Sequence, residues 1–127
     1  MTTRITDEHF RIHHMVTQHL PMLADHIAIM TEEGSWTYQQ LAQATQDMAA
    51  QFQARGLQAG DRVLIVGEGG AAQLIAVLAC SVLDAWSVPV NARMTANEID
   101  TIKAHCAPRF VVLGTGLSTA AQAHAQR

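Results

Sequence analysis

The chain has 127 residues, 49% of them hydrophobic and 15% charged, which supplies enough apolar side chain for one compact core and too little charge for a disordered tail. A formal net charge of -3 and a pI near 6.1 leave no basic stripe to neutralise a run of phosphates, so nucleic acid is not expected as a partner and binding to anionic membranes is disfavoured. Acids stand where a secretory leader has its apolar stretch, and the longest apolar run, Ala71 to Leu83, falls well short of the roughly 20 residues that cross a bilayer.

Asp7 to about His19 carries an irregular helical pattern marked by Phe10, Val16 and Leu20, and a first helix is expected there. Ile27-Ala28-Ile29-Met30 and Trp36-Thr37 read as two extended pieces joined by a polar turn containing Gly34, a hairpin. The main helix follows: Thr37 is its N-cap, Gln40 completes a capping box, and Trp36 and Leu41 are placed as a hydrophobic staple. Leu41, Thr45, Met48 and Phe52 continue along one face until Arg55 and Gly56 stop the helix.

After a turn at Gly60-Asp61, Val63-Leu64-Ile65-Val66 is apolar throughout, as in a parallel strand covered on both faces. Gly67-Glu68-Gly69-Gly70 is then a crossover loop into a helix over Ala71–Leu83. Trp86 to Val90 forms a second strand, in which Pro89, lacking an N–H, must lie at an edge, a strand end or a bulge. A second capping box, Thr95 with Glu98, opens a helix with Ile99, Ile102 and Cys106 as its buried stripe and Pro108 as its stop. Phe110-Val111-Val112-Leu113 is a third strand.

The order from Arg62 to Leu113 therefore predicts an α/β fold: a right-handed, parallel βαβαβ segment with helices on both faces, preceded by a helix and a short hairpin. Residues 1–127 read as a single partial domain. Ser118 to Arg127, rich in Ala and Gln, reads as a short helix or a frayed end, and 114–127 is set apart as a tail.

Several patterns invite chemical readings. Gly67 to Ala72 fits G-x-G-x-x-A between a strand and a helix, the place for a dinucleotide pyrophosphate, but the ribose-binding acid expected at the end of the next strand is replaced by Asn91. His9 and His13 have i, i+4 spacing with no third metal ligand in view. His105 and Cys106 are adjacent helix positions and do not face each other, so Cys106 is expected in the core. Cys80 and Cys106 show neither zinc-knuckle spacing nor a disulfide framework; reduced thiols and a cytoplasmic setting are expected. Gly114 to Thr119 lacks the Gly-Lys-Ser/Thr ending of a phosphate loop, and Arg93, placed where it could meet an anion, reads as an exposed arginine. No catalytic, cofactor-binding or metal residue is assigned.

Taken together, Trp36-Thr37-Tyr38-Gln39-Gln40-Leu41, Arg55-Gly56-Leu57, Gly60-Asp61-Arg62-Val63 and Ser81 to Asn91 resemble, in order and spacing, the N-terminal portion of the AMP-forming adenylate synthetase superfamily. The likeness covers roughly Ala24 to Leu113, with Gln40, Asp84 and Trp86 departing from the usual Glu, Lys and Gly. Val90 to Ile99 most resembles the acyl- and aryl-acid CoA ligase branch. The resemblance implies a reaction in which a carboxylate attacks the α-phosphate of ATP and the CoA thiol then displaces AMP. ATP, Mg²⁺ and CoA are implied for the full-length family, with none expected to bind this segment alone. The family's Ser/Thr/Gly-rich loop ending in Pro-Lys-Gly, its aromatic-plus-Glu motif, its T-G-D motif and its C-terminal lysine have no counterparts here, and Lys103 matches no catalytic position.

The expected partners are the remainder of the synthetase chain, a small carboxylate and CoA in the full-length enzyme, and a second copy if the chain forms a homo-oligomer. Two other readings stay open: a stand-alone Rossmann-like nucleotide-binding module using Gly67 to Ala72, and a non-catalytic interaction protein whose incomplete sheet leaves an edge and apolar helix faces uncovered.

Overall fold

In a computed structural model, which describes residues 10–127, the architecture is organised by β3 (Arg62–Gly67). Its side chains alternate between two apolar layers, so the strand is buried from Val63 onward. Val63 and Ile65 point to one side, against Ala76, Ala79 and Cys80 of α3 (Ala71–Val82) and Ala49 and Phe52 of α2 (Tyr38–Ala54). Leu64 and Val66 point to the other side, against Ile99 of α4 (Ala96–Cys106) and Ala121 of α5 (Thr119–Ala125). β3 is flanked in parallel by β4 (Trp86–Asn91) and β5 (Phe110–Leu113), giving the order β4-β3-β5 with Leu64 opposite Val88 and Val111. Pro89 sits on β4, which among the described strands pairs only with β3. This is the edge placement its missing N–H requires.

The hairpin β1 (Ile27–Thr31) and β2 (Gly34–Thr37) is antiparallel, with Thr31 opposite Gly34 across a Glu32-Glu33 turn. It feeds directly into α2 through the capping box. Gln40 N–H donates to Thr37 Oγ1 at 3.1 Å, and Thr37 N–H donates to Gln40 Oε1 at 2.9 Å. The staple forms as well, since Trp36 packs against the cluster containing buried Leu41. The same reciprocal bonding, Glu98 N–H to Thr95 Oγ1 at 3.2 Å and Thr95 N–H to Glu98 Oε2 at 2.8 Å, opens α4. Arg62 pins the far end of that helix to the sheet. Its guanidinium donates to the carbonyls of Cys106 (2.8 Å), Ala107 (3.1 Å) and Gly60 (2.9 Å).

Two expectations are corrected. The helix expected from Asp7 to His19 is, among the described residues, a single turn, α1 (His14–Thr17), while Asp7, Glu8 and His9 lie outside the described residues. The turns on either side of α1 are closed by three-residue rather than helical bonds, His14 N–H to the Arg11 carbonyl and His19 N–H to the Val16 carbonyl, and the His13 N–H donates to Ser81 Oγ at 3.1 Å instead of to a carbonyl one turn back. Cys106 is half-buried rather than core, because it occupies the last turn of α4, past the layer formed by Ile99 and Ile102. Of the two readings of Ser118 to Arg127, the helix is the one that forms. α5 buries Ala121 completely and is tied down by His124, whose Nε2 lies 2.9 Å from the Ala92 carbonyl, and by Arg127 on Asp100 at 2.9 Å.

Candidate functional site

The chain leaves β3 toward α3 on one face of the sheet and leaves β5 toward α5 on the other. Where neighbouring parallel strands part in this way, a crevice opens beyond their C-terminal ends, which is the general ligand position in open α/β sheets. Here it is an opening of about 590 Å³ whose walls are mainly apolar, from Trp36, Met48, Ile75, Val112 and Leu117. The carboxylates of Glu33 and Asp47 and the amides of Gln51 and Gln73 are its polar side-chain groups, and none of the described residues lining it is basic.

The glycines of the β3–α3 loop are needed for its path. Gly69 and Gly70 have φ of +95° and +90°, and a β-carbon on Gly70 would lie 2.5 Å from Leu117 Cδ1. With no side chain on the N-cap residue Gly70, Gln73 reaches back to accept from Gly69 N–H at 2.8 Å.

Glu68 is the residue that joins the loops. One of its carboxylate oxygens takes the Arg93 guanidinium of the β4–α4 loop, and the other accepts from the Ser118 hydroxyl, which is buried at the start of α5. Ser118 Oγ in turn caps α5 by accepting from Ala121 N–H at 3.0 Å. The three loops at the C-terminal edge are thereby bonded through a single carboxylate. The Ser118 hydrogen bond, with the Arg93 hydrogen bond next, holds the Glu68 pKa below the usual carboxylate range.

A family model described as AMP-binding enzyme matches residues 17–127. The chain belongs to this family. Its relatives include the 2-succinylbenzoate–CoA ligase of Oceanobacillus iheyensis, 32% identical over 88 residues, with 68% of this chain and 18% of the ligase aligned. In three dimensions the chain is similar to the anthranilate CoA ligase AuaEII, solved in complex with anthranoyl-AMP. That match has a TM-score of 0.77 and 19% identity, over 80% of this chain and 20% of that one. It is also similar to the Klebsiella oxytoca NpsA N-terminal subdomain, with a TM-score of 0.75 and 23% identity, over 86% of this chain and 28% of that one. At these identities the two structures establish the fold, and the chain spans from under a fifth to little more than a quarter of the length of these relatives.

Within this AMP-binding family member, the sequence motifs fall as follows. Gly67 to Ala72 does form the crossover into α3, but the side chain it presents is a carboxylate, and Asn91 Oδ1 accepts from Arg93 N–H of its own loop at 2.9 Å. That arrangement is unsuited to a dinucleotide pyrophosphate. Arg93, read as an exposed arginine, is paired with Glu68. His13 bonds Ser81, with Nδ1 to Oγ at 2.8 Å, and its partner in the H-x-x-x-H spacing, His9, lies outside the described residues. His105 and Cys106 lie in the last turn of α4, and Cys106 Sγ is 3.9 Å from the Lys103 carbonyl. Burial alone pushes the Cys80 thiol up to about 11, leaving it inert at neutral pH. Among the described residues no helix is long and apolar enough to cross a membrane, and no three His, Cys, Asp or Glu side chains cluster as metal ligands.

Sequence reasoning missed Glu68 and Ser118. Their partners lie 25 and 50 residues away along the chain, and neither residue belongs to a local motif. The signal available was an acid interrupting a glycine-rich loop.

Proposed function

We propose that this chain is the N-terminal segment, a single partial domain, of an AMP-forming carboxylate–CoA ligase, and that it supplies scaffold and one wall of the substrate crevice without a catalytic group. The observation that carries the reading is the 32% identity to a CoA ligase across two-thirds of the chain. The electrostatics of the crevice support it. Attack of a carboxylate on the α-phosphate of ATP gathers negative charge that Mg²⁺ and basic or N–H donors must offset. The described residues of the crevice offer the carboxylates of Glu33 and Asp47 and no basic side chain. They do not fit a nucleotide triphosphate with its metal, so ATP, Mg²⁺ and CoA fall to the rest of the longer polypeptide.

The test is carboxylate-dependent exchange of pyrophosphate into ATP by the purified 127-residue chain, over a panel of aryl and acyl acids. No exchange above the enzyme-free blank is expected. Exchange that depends on one of the acids would show that the segment holds a complete adenylation site and would sink the reading.

A further inference from the structure

On the Leu64 and Val66 face of the sheet, α4 and α5 do not meet. α5 packs there through the small side chains of Ala120 and Ala121, and beyond them a cleft of about 210 Å³ opens between its last turn and α4. At about 30 Å³ per molecule in the liquid, the cleft has room for roughly seven waters, whereas close packing leaves few voids larger than one. Its floor is apolar: Val111 and Leu113 are half-buried, and Leu64 and Val66 lie fully buried beside them. Ile99 forms the wall on the α4 side, and Ala125 offers no bulk opposite it.

The polar groups at the rim are Asp100 and Lys103 of α4, His124 of α5 and Arg127. Three of them satisfy one another. Arg127 donates to both carboxylate oxygens of Asp100 at 2.9 Å, and its Nε–H donates to His124 Nδ1 at 3.0 Å. Because His124 Nδ1 accepts, the ring proton sits on Nε2, which donates to the Ala92 and Met94 carbonyls at 2.9 Å and 3.1 Å. His124 is thus neutral, and Asp100 and Arg127 cancel. Lys103 remains. Its ammonium makes no hydrogen bond or salt bridge among the described residues. It stands one turn after Ile99 on the same side of α4, so its alkyl stem borders the apolar floor while its charge stays at the mouth.

We propose that this cleft is a binding site for a small amphipathic carboxylate, with the apolar body over Val111 and Leu113 and the carboxylate on Lys103. One uncompensated ammonium beside an apolar floor matches one negative charge on a short hydrocarbon. A neutral ligand would forgo the ion pair, and an amine would meet Lys103 as a like charge. The space suits a body of roughly six or seven non-hydrogen atoms, the size of a phenyl ring. The cleft shares Leu113 with the crevice but takes its charge from α4, which does not line the crevice, and it stands or falls independently of the ligase reading.

The test is an NMR titration of the 127-residue chain with benzoate, set against benzamide and benzylamine as neutral and cationic analogues. Benzoate should shift the amides of residues 99–103, 111–113 and 121–127 along saturating curves, with a Kd on the order of millimolar. Benzamide and benzylamine should each bind at least about fivefold more weakly. Lys103→Met keeps the stem, removes the charge and should weaken benzoate at least about fivefold. Ala125→Leu fills the cleft and should weaken it at least as much, by about fivefold or more. Both positions are exposed, so neither substitution threatens the fold. Unchanged benzoate affinity in either variant would overturn the proposal, as would benzamide binding as well as benzoate. Shifts centred on Trp36, Met48 and Leu117 would overturn it too, by placing the ligand in the crevice, and so would titrations without curvature up to about 20 mM.

Discussion

Val63 to Val66 and the segment from Phe10 to His26 are both rich in apolar side chains, and they are held in opposite ways. The strand has an apolar layer against each face and is at most 2% exposed at any of those four residues. The N-terminal segment leaves Ile12, Met15 and Met22 exposed, the last at 90%, and contributes only Val16 to a core cluster. Polar contacts anchor it: His13 on Ser81, Arg11 on Asp84 at 2.8 Å, and the Ala24 and His26 carbonyls accepting from Gln39 and Tyr38 at 3.0 Å. Exposed polar anchors contribute little net free energy, because water competes for the same groups. The sheet is therefore the cooperative unit, and the N-terminal segment is a latch that opens locally.

The strongest way to break that comparison is Leu64→Ala. It should destabilise the chain by about 2–5 kcal/mol in urea unfolding, through lost burial plus the cavity left between β3 and α4, and a loss below about 1 kcal/mol would mean that this face is not the core. Thr37→Ala, which removes one arm of the capping box, should cost about 1 kcal/mol by the same measurement. His13→Ala should change global stability by less than about 1 kcal/mol, yet exchange at peptide 11–17 should rise while β3 stays protected; equal acceleration in both would show that the latch and the sheet open together.

The same latch gives a pH signature. Burial, then the neighbouring His14, lowers the His13 pKa below its ordinary 6.5, with Arg11 acting in the same sense and Asp84 opposing. Docking is then complete above pH 6.5 and weakens as pH falls below it toward the lowered folded value. After correction for intrinsic rates, exchange at 11–17 should be faster at acid pH in the wild type and pH-independent in His13→Ala. The smallest effect is expected from Glu68→Gln. The depressed Glu68 pKa contributes stability above its ordinary value of 4.5 that is lost as pH falls through the folded value. Wild type and variant should therefore differ at neutral pH and converge in acid, and parallel stability curves across that range would show that Ser118 and Arg93 do not stabilise the carboxylate.

The elements that were legible in the sequence are those specified over a few residues. Thr37 with Gln40 and Thr95 with Glu98 mark helix starts because both partners lie within one turn. Val63 to Val66 announces a doubly covered strand through unbroken apolarity, and Pro89 announces an edge through a missing donor. Where sequence reading fell short, the deciding partner is remote. Nothing near Glu68 points to Ser118, nothing near His13 points to Ser81, and the half-burial of Cys106 depends on how far α4 extends past the sheet. The first helix was overestimated because Phe10, Val16 and Leu20 fit a helical period, whereas the bond of the His13 amide to Ser81 and the scarcity of apolar partners govern the actual path.

The Arg62 guanidinium sets the alignment of the whole layer. From the first position of β3 it meets the carbonyls of Gly60, Cys106 and Ala107 at once, each through a different nitrogen. Those acceptors come from the turn before β3 and from the close of α4, three residues before β5 begins. Sliding β5 by one residue would turn Phe110 and Val112 toward the wrong layer and carry two of those carbonyls out of reach of a rigid planar fork. A lysine at the same position is a point charge on a flexible stem and would tolerate that slip. The arginine acts as a gauge that only the correctly aligned chain satisfies.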